Sequence, residues 1–364
     1  MKRFDPTREN PRNILLVKSH SAGVGDILRS SAAWAVLHRR WPEARLHLLF
    51  LTRWPGYPSE ELVRDHFLLE SAHFIPLREG KFAGMRGVGP GEWKKIFAAL
   101  GEIAGRIRPE LIIDHEPHGL ESTIVSRYLR SRSSGSVTVG VAEVPGRGKL
   151  YDFAGPSLRR YARERSLPEP MDYTCRDFAA LAALGLERNG QPIVLQVGGE
   201  GQAWQSGPGK KISGNLRIGL NIGCGTPDAH ERRPDINMLV DALGKFRQTH
   251  PFTLLLTGAA NEQQINREFI LGAAERWGDV SGIFDLSGTG SLNTLAGIIS
   301  HCHLFISGDS GPYHMAVALG IPTLAIFNLF MPEAFHKVPY VRICLSPDTE
   351  TVMAKIEELL PHGP

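Results

Sequence analysis

Two stretches of this 364-residue chain put reactive side chains at a strand-to-helix turn. The first is Ser307-Gly308-Asp309-Ser310-Gly311-Pro312-Tyr313-His314, set between the apolar runs 303–306 and 324–327. It reads as strand, polar turn, short helix and, after Gly320, strand again. An acid, a hydroxyl and an imidazole then surround the open N–H groups of one helix N-terminus, which is how a protein holds a phosphate without a metal ion. The second stretch runs from Ser19 through Gly23-Val24-Gly25-Asp26 and leads into a helix. Gly23 and Gly25 let backbone approach a ligand closely, and Asp26 stands at or beside the N-cap. There it is either a helix cap or, facing a cleft, the general base for a hydroxyl nucleophile. A dinucleotide fingerprint needs a third glycine, which 23–28 lacks, and that argues against hydride transfer.

Other residues gather around the same kind of turn. Asn221-Ile222-Gly223-Cys224-Gly225-Thr226 ends a strand in a Gly-rich loop, and Glu231-Arg232-Arg233-Pro234 follows. A guanidinium held beside such a loop binds a diphosphate bidentately; solvated surface charge is the plainer alternative. Glu262 either bonds a ribose hydroxyl or caps its helix, and the turn 288–292 lines a base pocket. Asp114-His115-Glu116-Pro117-His118 adds acid and imidazole to the first-half mouth. Its H-x-x-H spacing has no third ligand, so no metal is expected there, and no cofactor is expected for the chain. No GxSxG elbow, P-loop lysine or H-E-x-x-H motif occurs.

The elements that must position these residues alternate strand and helix. In the first half, strands at 13–18, 46–51, 111–113 and 137–141 are separated by helices at 27–40, 92–107 and 120–129. In the second, strands at 218–222, 252–257, 284–286, 304–306 and 323–327 alternate with helices at 237–249, 262–277 and 292–301, and a helix at 351–360 closes the chain. That grammar predicts an α/β protein with two Rossmann-like domains facing across a cleft. The expected domains are 1–170, a linking helix with a Gly-rich hinge loop at 171–216, a second domain at 217–340 and a C-terminal strand and helix at 341–364. The stretch 197–209 has too much glycine to pack and reads as a flexible hinge.

Length alone calls for two domains. No run of about 18 apolar residues and no apolar leader is present, so a cytoplasmic protein is expected. Four scattered cysteines read as reduced thiols. The net charge of +3 hides an imbalance: residues 1–170 carry 27 Lys and Arg against 19 Asp and Glu, and 171–364 carry 14 against 19. A basic half suits an anionic partner or membrane surface.

Taken together, the sequence resembles the family 9 glycosyltransferases, the ADP-heptose:lipopolysaccharide heptosyltransferase group. The resemblance rests on 14–18 followed by Gly25-Asp26-Ile27-Leu28, on Leu111-Ile112-Ile113-Asp114, on Asn221-Ile222-Gly223 with Arg232-Arg233-Pro234, and above all on Gly308 to Ala316 through Leu319-Gly320-Ile321-Pro322-Thr323. It implies a GT-B fold and an inverting, metal-independent transfer of a sugar, heptose first, from a nucleotide-sugar donor such as ADP-heptose to an anionic glycan or glycolipid. Nucleic acid is not an expected partner, whereas peripheral contact with the inner face of the membrane is. By the same resemblance Asp26 falls on the catalytic base. Asp309, Ser310, Gly311 and His314 fall on the donor-diphosphate segment, with Arg232, Arg233, Gly223, Thr226 and Glu262 completing the donor side and Gly25, Asp114 and His118 the acceptor side. Ser310 keeps the hydroxyl of the commoner Thr. Glu231 stands where the family usually has a phosphate-binding Lys, so either Arg232 or Arg233 substitutes or the donor is held differently. The alternatives are a GT-B sugar-nucleotide epimerase and a non-catalytic sugar-nucleotide-binding or scaffold protein.

Overall fold

The structure, a computed structural model, describes residues 5, 9–19, 23–52, 59–76, 90–212, 214, 216–224, 231–329 and 335–360. It divides into two compact units, Met1–Ile193 and Val194–Pro364, a boundary inside the stretch read as the linker.

The first unit runs β1 (Asn13–Ser19), α1 (Val24–Arg29), α2 (Ser31–Arg40), β2 (Arg45–Thr52), α3 (Ser59–Arg64), β3 (Ser71–Pro76), α4 (Pro90–Ile107), β4 (Leu111–Asp114), α5 (Leu120–Arg132), β5 (Val137–Val141), β6 (Phe153–Gly155), α6 (Leu158–Glu164) and α7 (Cys175–Leu181). The second runs α8 (Gly199–Ser206), β7 (Arg217–Asn221), α9 (Ile236–Arg247), β8 (Thr253–Thr257), α10 (Gln263–Trp277), β9 (Ile283–Asp285), α11 (Leu292–Ser300), β10 (Leu304–Ser307), α12 (Gly311–Ala318), β11 (Thr323–Phe327), β12 (Val341–Leu345) and α13 (Thr349–Leu359).

Both sheets are parallel and share one topology. The orders are β3-β2-β1-β4-β5-β6 and β12-β11-β10-β7-β8-β9, which count as 3-2-1-4-5-6 from each unit's own first strand. In such a sheet the first and fourth strands lie side by side while their connections run to opposite edges, and the crevice beyond their carboxyl ends is the ligand site. The inner strands are buried along nearly their whole length, as parallel strands covered on both faces must be. Leu15, Val17, Leu49, Leu51 and Ile112 pack under Ile96, Leu100, Ile103 and Ile107 of α4 and Val125 and Leu129 of α5. In the second unit Leu220, Leu254, Ile306 and Ile326 pack under Leu239, Leu243 and Phe246 of α9, Phe269 of α10 and Ile356 of α13.

Several elements differ from the sequence reading. The helix at 27–40 is two helices: Ser30 N–H bonds Ile27 O at 3.3 Å, tightening the chain between α1 and α2, and its hydroxyl turns to Asp177 instead of solvent. Edge strands β3 and β6 were not foreseen, because β3 mixes Ser71 and His73 into its pattern and β6 is three residues long.

The third correction concerns the supposed hinge. Residues 199–206 form α8, which packs against α11. A Cβ on Gly201 would stand 2.5 Å from Asn293 O, and one on Gly297 the same distance from Gly201 O. The glycines therefore permit helix-to-helix contact instead of conferring freedom. Buried Trp204 meets His301 edge-on, and Gln205 donates to Ser300 at 2.7 Å.

Candidate functional site

In the second unit the switch point lies between β7 and β10, and one amide organises it. Asn221 ends β7. Its Nδ2 donates to Gly223 O at 2.7 Å and to Ser310 Oγ at 3.4 Å, and its Oδ1 accepts from Thr257 Oγ1, at the end of β8, at 3.2 Å. Ser307, at the end of β10, places its Oγ 2.9 Å from Ser310 Oγ. Asn221, Thr257, Ser307 and Ser310 are all buried, so three strand ends and the start of α12 are tied by neutral polar groups.

Ser310 is the N-cap of α12 with extended backbone, but its side chain makes no capping bond. With that hydroxyl committed to Ser307 and Asn221, the first turn presents its N–H dipoles and a partial positive charge at the crevice. Gly308 lets the turn 232–234 lie directly against this segment: a Cβ there would be 3.0 Å from Arg232 O and 3.1 Å from Pro234 Cδ. Arg232 NH1 stands 3.5 Å from Asp309 Oδ2 with the arginine still 43% exposed. Arg233 keeps a buried Nε that has no hydrogen-bond partner among the described residues, and its backbone O accepts from Asn328. Glu231 is exposed.

Glu262 is buried, caps its own turn by accepting Ala259 N–H at 2.8 Å, and also presses on the loop after β7. A Cβ on Gly223 would fall 2.0 Å from Glu262 Oε1, so any larger residue there has to displace the Glu262 carboxylate. His314 Nδ1 lies 2.9 Å from Nε2 of His336, and both rings are buried. His336 N–H donates to Tyr313 Oη at 3.2 Å. His336 was missed from sequence: it lies beyond β11, at a spacing that belongs to no motif. Thr226 lies outside the described residues.

In the first unit the switch point lies between β1 and β4. Asp26 sits in the first turn of α1, behind the N-cap Gly23, and Gly25 beside it is buried. Tyr173 Oη donates to Asp26 Oδ1 at 3.2 Å, and Arg29 NH1 is 3.6 Å from the same oxygen. Arg29 is buried; its Nε donates to Asp177 Oδ2 at 2.9 Å while Ser30 Oγ donates to Asp177 Oδ1 at 3.0 Å. His115 Nδ1 is 3.2 Å from Asp177 Oδ1, and Lys18 Nζ is 3.5 Å from Glu116 Oε1. Burial works to raise the Asp177 pKa, but Arg29, Lys18 and His115 outweigh it and hold the carboxyl well below the usual range.

Asp114 belongs to a different enclosed network. It accepts from Tyr151 Oη at 2.6 Å, Arg147 NH2 at 3.0 Å and Glu116 N–H at 2.9 Å, with no exposed surface. Burial pushes its pKa up to about 6 against the opposing pull of Arg147 and these bonds. His118 is exposed further along the turn. Among the described residues, no group of three or more His, Cys, Asp or Glu stands so as to hold a metal ion.

Residues 241–357 match the family described as glycosyltransferase family 9 (heptosyltransferase). A stretch of 120 residues is 29% identical to lipooligosaccharide heptosyltransferase 2 of Campylobacter jejuni, covering 33% of this chain and 34% of that relative. The structure of Escherichia coli ADP-heptose LPS heptosyltransferase II superposes at TM-score 0.62 with 16% identity, covering 95% of this chain and 98% of that one. E. coli heptosyltransferase WaaC with ADP-2-deoxy-2-fluoro heptose superposes at 0.64, also 16% identical, covering 95% and 99%. The fold is that of these GT-B proteins, and the stretch 241–357 that matches the family 9 model contains β10, the Asp309 turn and α12.

Proposed function

We propose that this chain, whose second unit carries the family 9 segment, is a glycosyltransferase that moves a sugar from a nucleoside diphosphate to a hydroxyl of a glycan or glycolipid. The sugar is heptose and the nucleotide ADP, in line with the relatives named for that donor. The observation that carries this reading is the β7/β10 crevice, where a helix N-terminus, buried hydroxyls and an adjacent arginine offer a site for a diphosphate.

Asp26 takes the proton of the acceptor hydroxyl. That oxygen attacks the anomeric carbon from the face opposite the nucleotide, the bond to the β-phosphate oxygen breaks, and one displacement inverts the centre. Negative charge grows on the departing diphosphate, where the N-terminus of α12, His314 and Arg232 or Arg233 stabilise it in place of a metal ion. Glu262, beside Gly223, bonds the ribose. The first half's basic excess suits an anionic, lipid-linked acceptor met at a membrane surface; among the described residues no helix is long and apolar enough to cross a membrane.

A thermal-shift screen of ADP, GDP, UDP and dTDP with EDTA present tests the donor, because a ligand bound only to the native state raises its apparent stability. ADP should give the largest shift. A preference for another nucleotide moves the donor to that base, and the absence of any shift removes the reading.

A further inference from the structure

Behind Asp26 the first unit holds more charge than a helix turn requires. Arg29 is 4% exposed and stands between two carboxylates: Asp177, fully buried, at 2.9 Å through Nε, and Asp26, 34% exposed, at 3.6 Å through NH1. Asp177 is itself held by Ser30 Oγ, so the guanidinium fork has one fixed side and one side turned to Asp26. The Arg29 guanidinium also lies over the Tyr173 ring, 5.4 Å from its centroid, and the Tyr173 hydroxyl reaches the Asp26 oxygen that Arg29 faces. Both contacts fall on Oδ1.

We infer that Arg29, locked by Asp177, and Tyr173 are positioning residues that hold the Asp26 carboxylate ionised and oriented through contacts to its Oδ1, ready to take the acceptor proton. The inference rests on the reading of Asp26 as the base. A buried arginine facing a lone partly exposed carboxylate would be free to swing; a second carboxylate with no solvent access fixes it. Among the described residues the titratable groups of the adjoining elements join the same network: Lys18 from β1 pairs with Glu116 beyond β4, His115 faces Asp177, and Tyr173 and Asp177 come from the segment at α7. Arg29 itself is held charged, since Asp177, Tyr173, Glu116 and Asp26 together outweigh the effect of its burial. One hydrogen bond from Tyr173 and the adjacent guanidinium charge lower the cost of the charged form and favour one orientation of it, which a base needs before the acceptor arrives.

The test is a ¹³C NMR titration of the Asp26 carboxyl in the full-length chain without substrate, comparing wild type with Tyr173→Phe and Arg29→Lys. Tyr173→Phe keeps the ring and deletes one hydroxyl, so folding is not at stake. Its Asp26 midpoint should rise by about half a pH unit, and that of Arg29→Lys, which cannot hold both carboxylates with one fork, by about one. Midpoints equal to wild type in both variants overturn the inference. The reading of Asp26 as base is tested apart from this, by Asp26→Asn in the transfer assay with ADP-heptose as donor. Wild-type turnover there overturns that reading, whereas a titration that does not move leaves it standing.

Discussion

The end of the β1/β4 pair and the end of the β7/β10 pair occupy the same place in the same topology, yet they are built from opposite materials. The first gathers Asp26, Arg29, Asp177, His115, Glu116 and Lys18, ionisable groups that compensate one another inside the protein. The second is tied by an amide and hydroxyls, Asn221, Thr257, Ser307 and Ser310, around a helix N-terminus that the Ser310 side chain does not cap. A site that must keep a charge of its own needs permanent counter-charges behind it. One that receives charge from its ligand needs dipoles aimed outward, with their internal partners neutral. Under the proposed function, the same Rossmann-like frame serves in one unit to hold a base and in the other to receive a diphosphate.

Removing the base should break the first half of this comparison most severely. Asp26→Asn should lower transfer by about 10²–10⁴-fold with ADP affinity unchanged, by initial rates and calorimetry. The next contrast is in stability. Asp177→Asn leaves Arg29 buried without its fixed counter-charge and should cost about 3–5 kcal/mol in urea unfolding. Asn221→Ala, which frees neutral groups only, should cost about 1–3 kcal/mol; equal losses would erase the distinction between the two sites. His314→Ala should weaken ADP by about tenfold, the worth of one good hydrogen bond to a charged group, and leave the Asp26 titration untouched.

The smallest effect is a pH dependence. His47 is held down to about 4 by burial first, then by His73, Arg45 and Arg106. Between pH 6.5 and 4 the unfolded chain binds a proton at His47 that the native state refuses, so this group costs stability as pH falls through that window. Asp114 acts oppositely there: with its pKa raised to about 6, the native state takes a proton the unfolded chain does not, and stability rises as pH falls from 6 towards 4. Melting curves of His47→Gln should gain on wild type as pH drops from 6.5 to 4, and those of Asp114→Asn should lose.

Much of this was legible beforehand because parallel strands write themselves as continuous apolar runs and the ligand turns follow them directly. Leu111–Asp114 and Leu304–Ser307 were placed to within a residue for that reason. Glycine misled where its role was contact: the Gly-rich stretch around Gly201 looks like a hinge in sequence and is a helix crossing against Gly297 in space. Asp177, Tyr173 and His336 were invisible as site residues because each is far along the chain from its partner, and no local spacing links Arg29 to a carboxylate 148 positions later. Asp114 looked like a cleft acid from its place at a strand end, but its side chain turns to Arg147 and Tyr151, which only the tertiary fold brings there.

The division of labour between the two switch points is tested most directly by one thermal-shift series with ADP in EDTA, run on wild type, Asp26→Asn and Gly223→Ala. ADP should raise the melting temperature of wild type and Asp26→Asn by the same amount. It should fail to do so for Gly223→Ala, where the new methyl displaces Glu262. A shift lost in Asp26→Asn, kept in full by Gly223→Ala, or absent from wild type until Mg²⁺ is added would contradict the account.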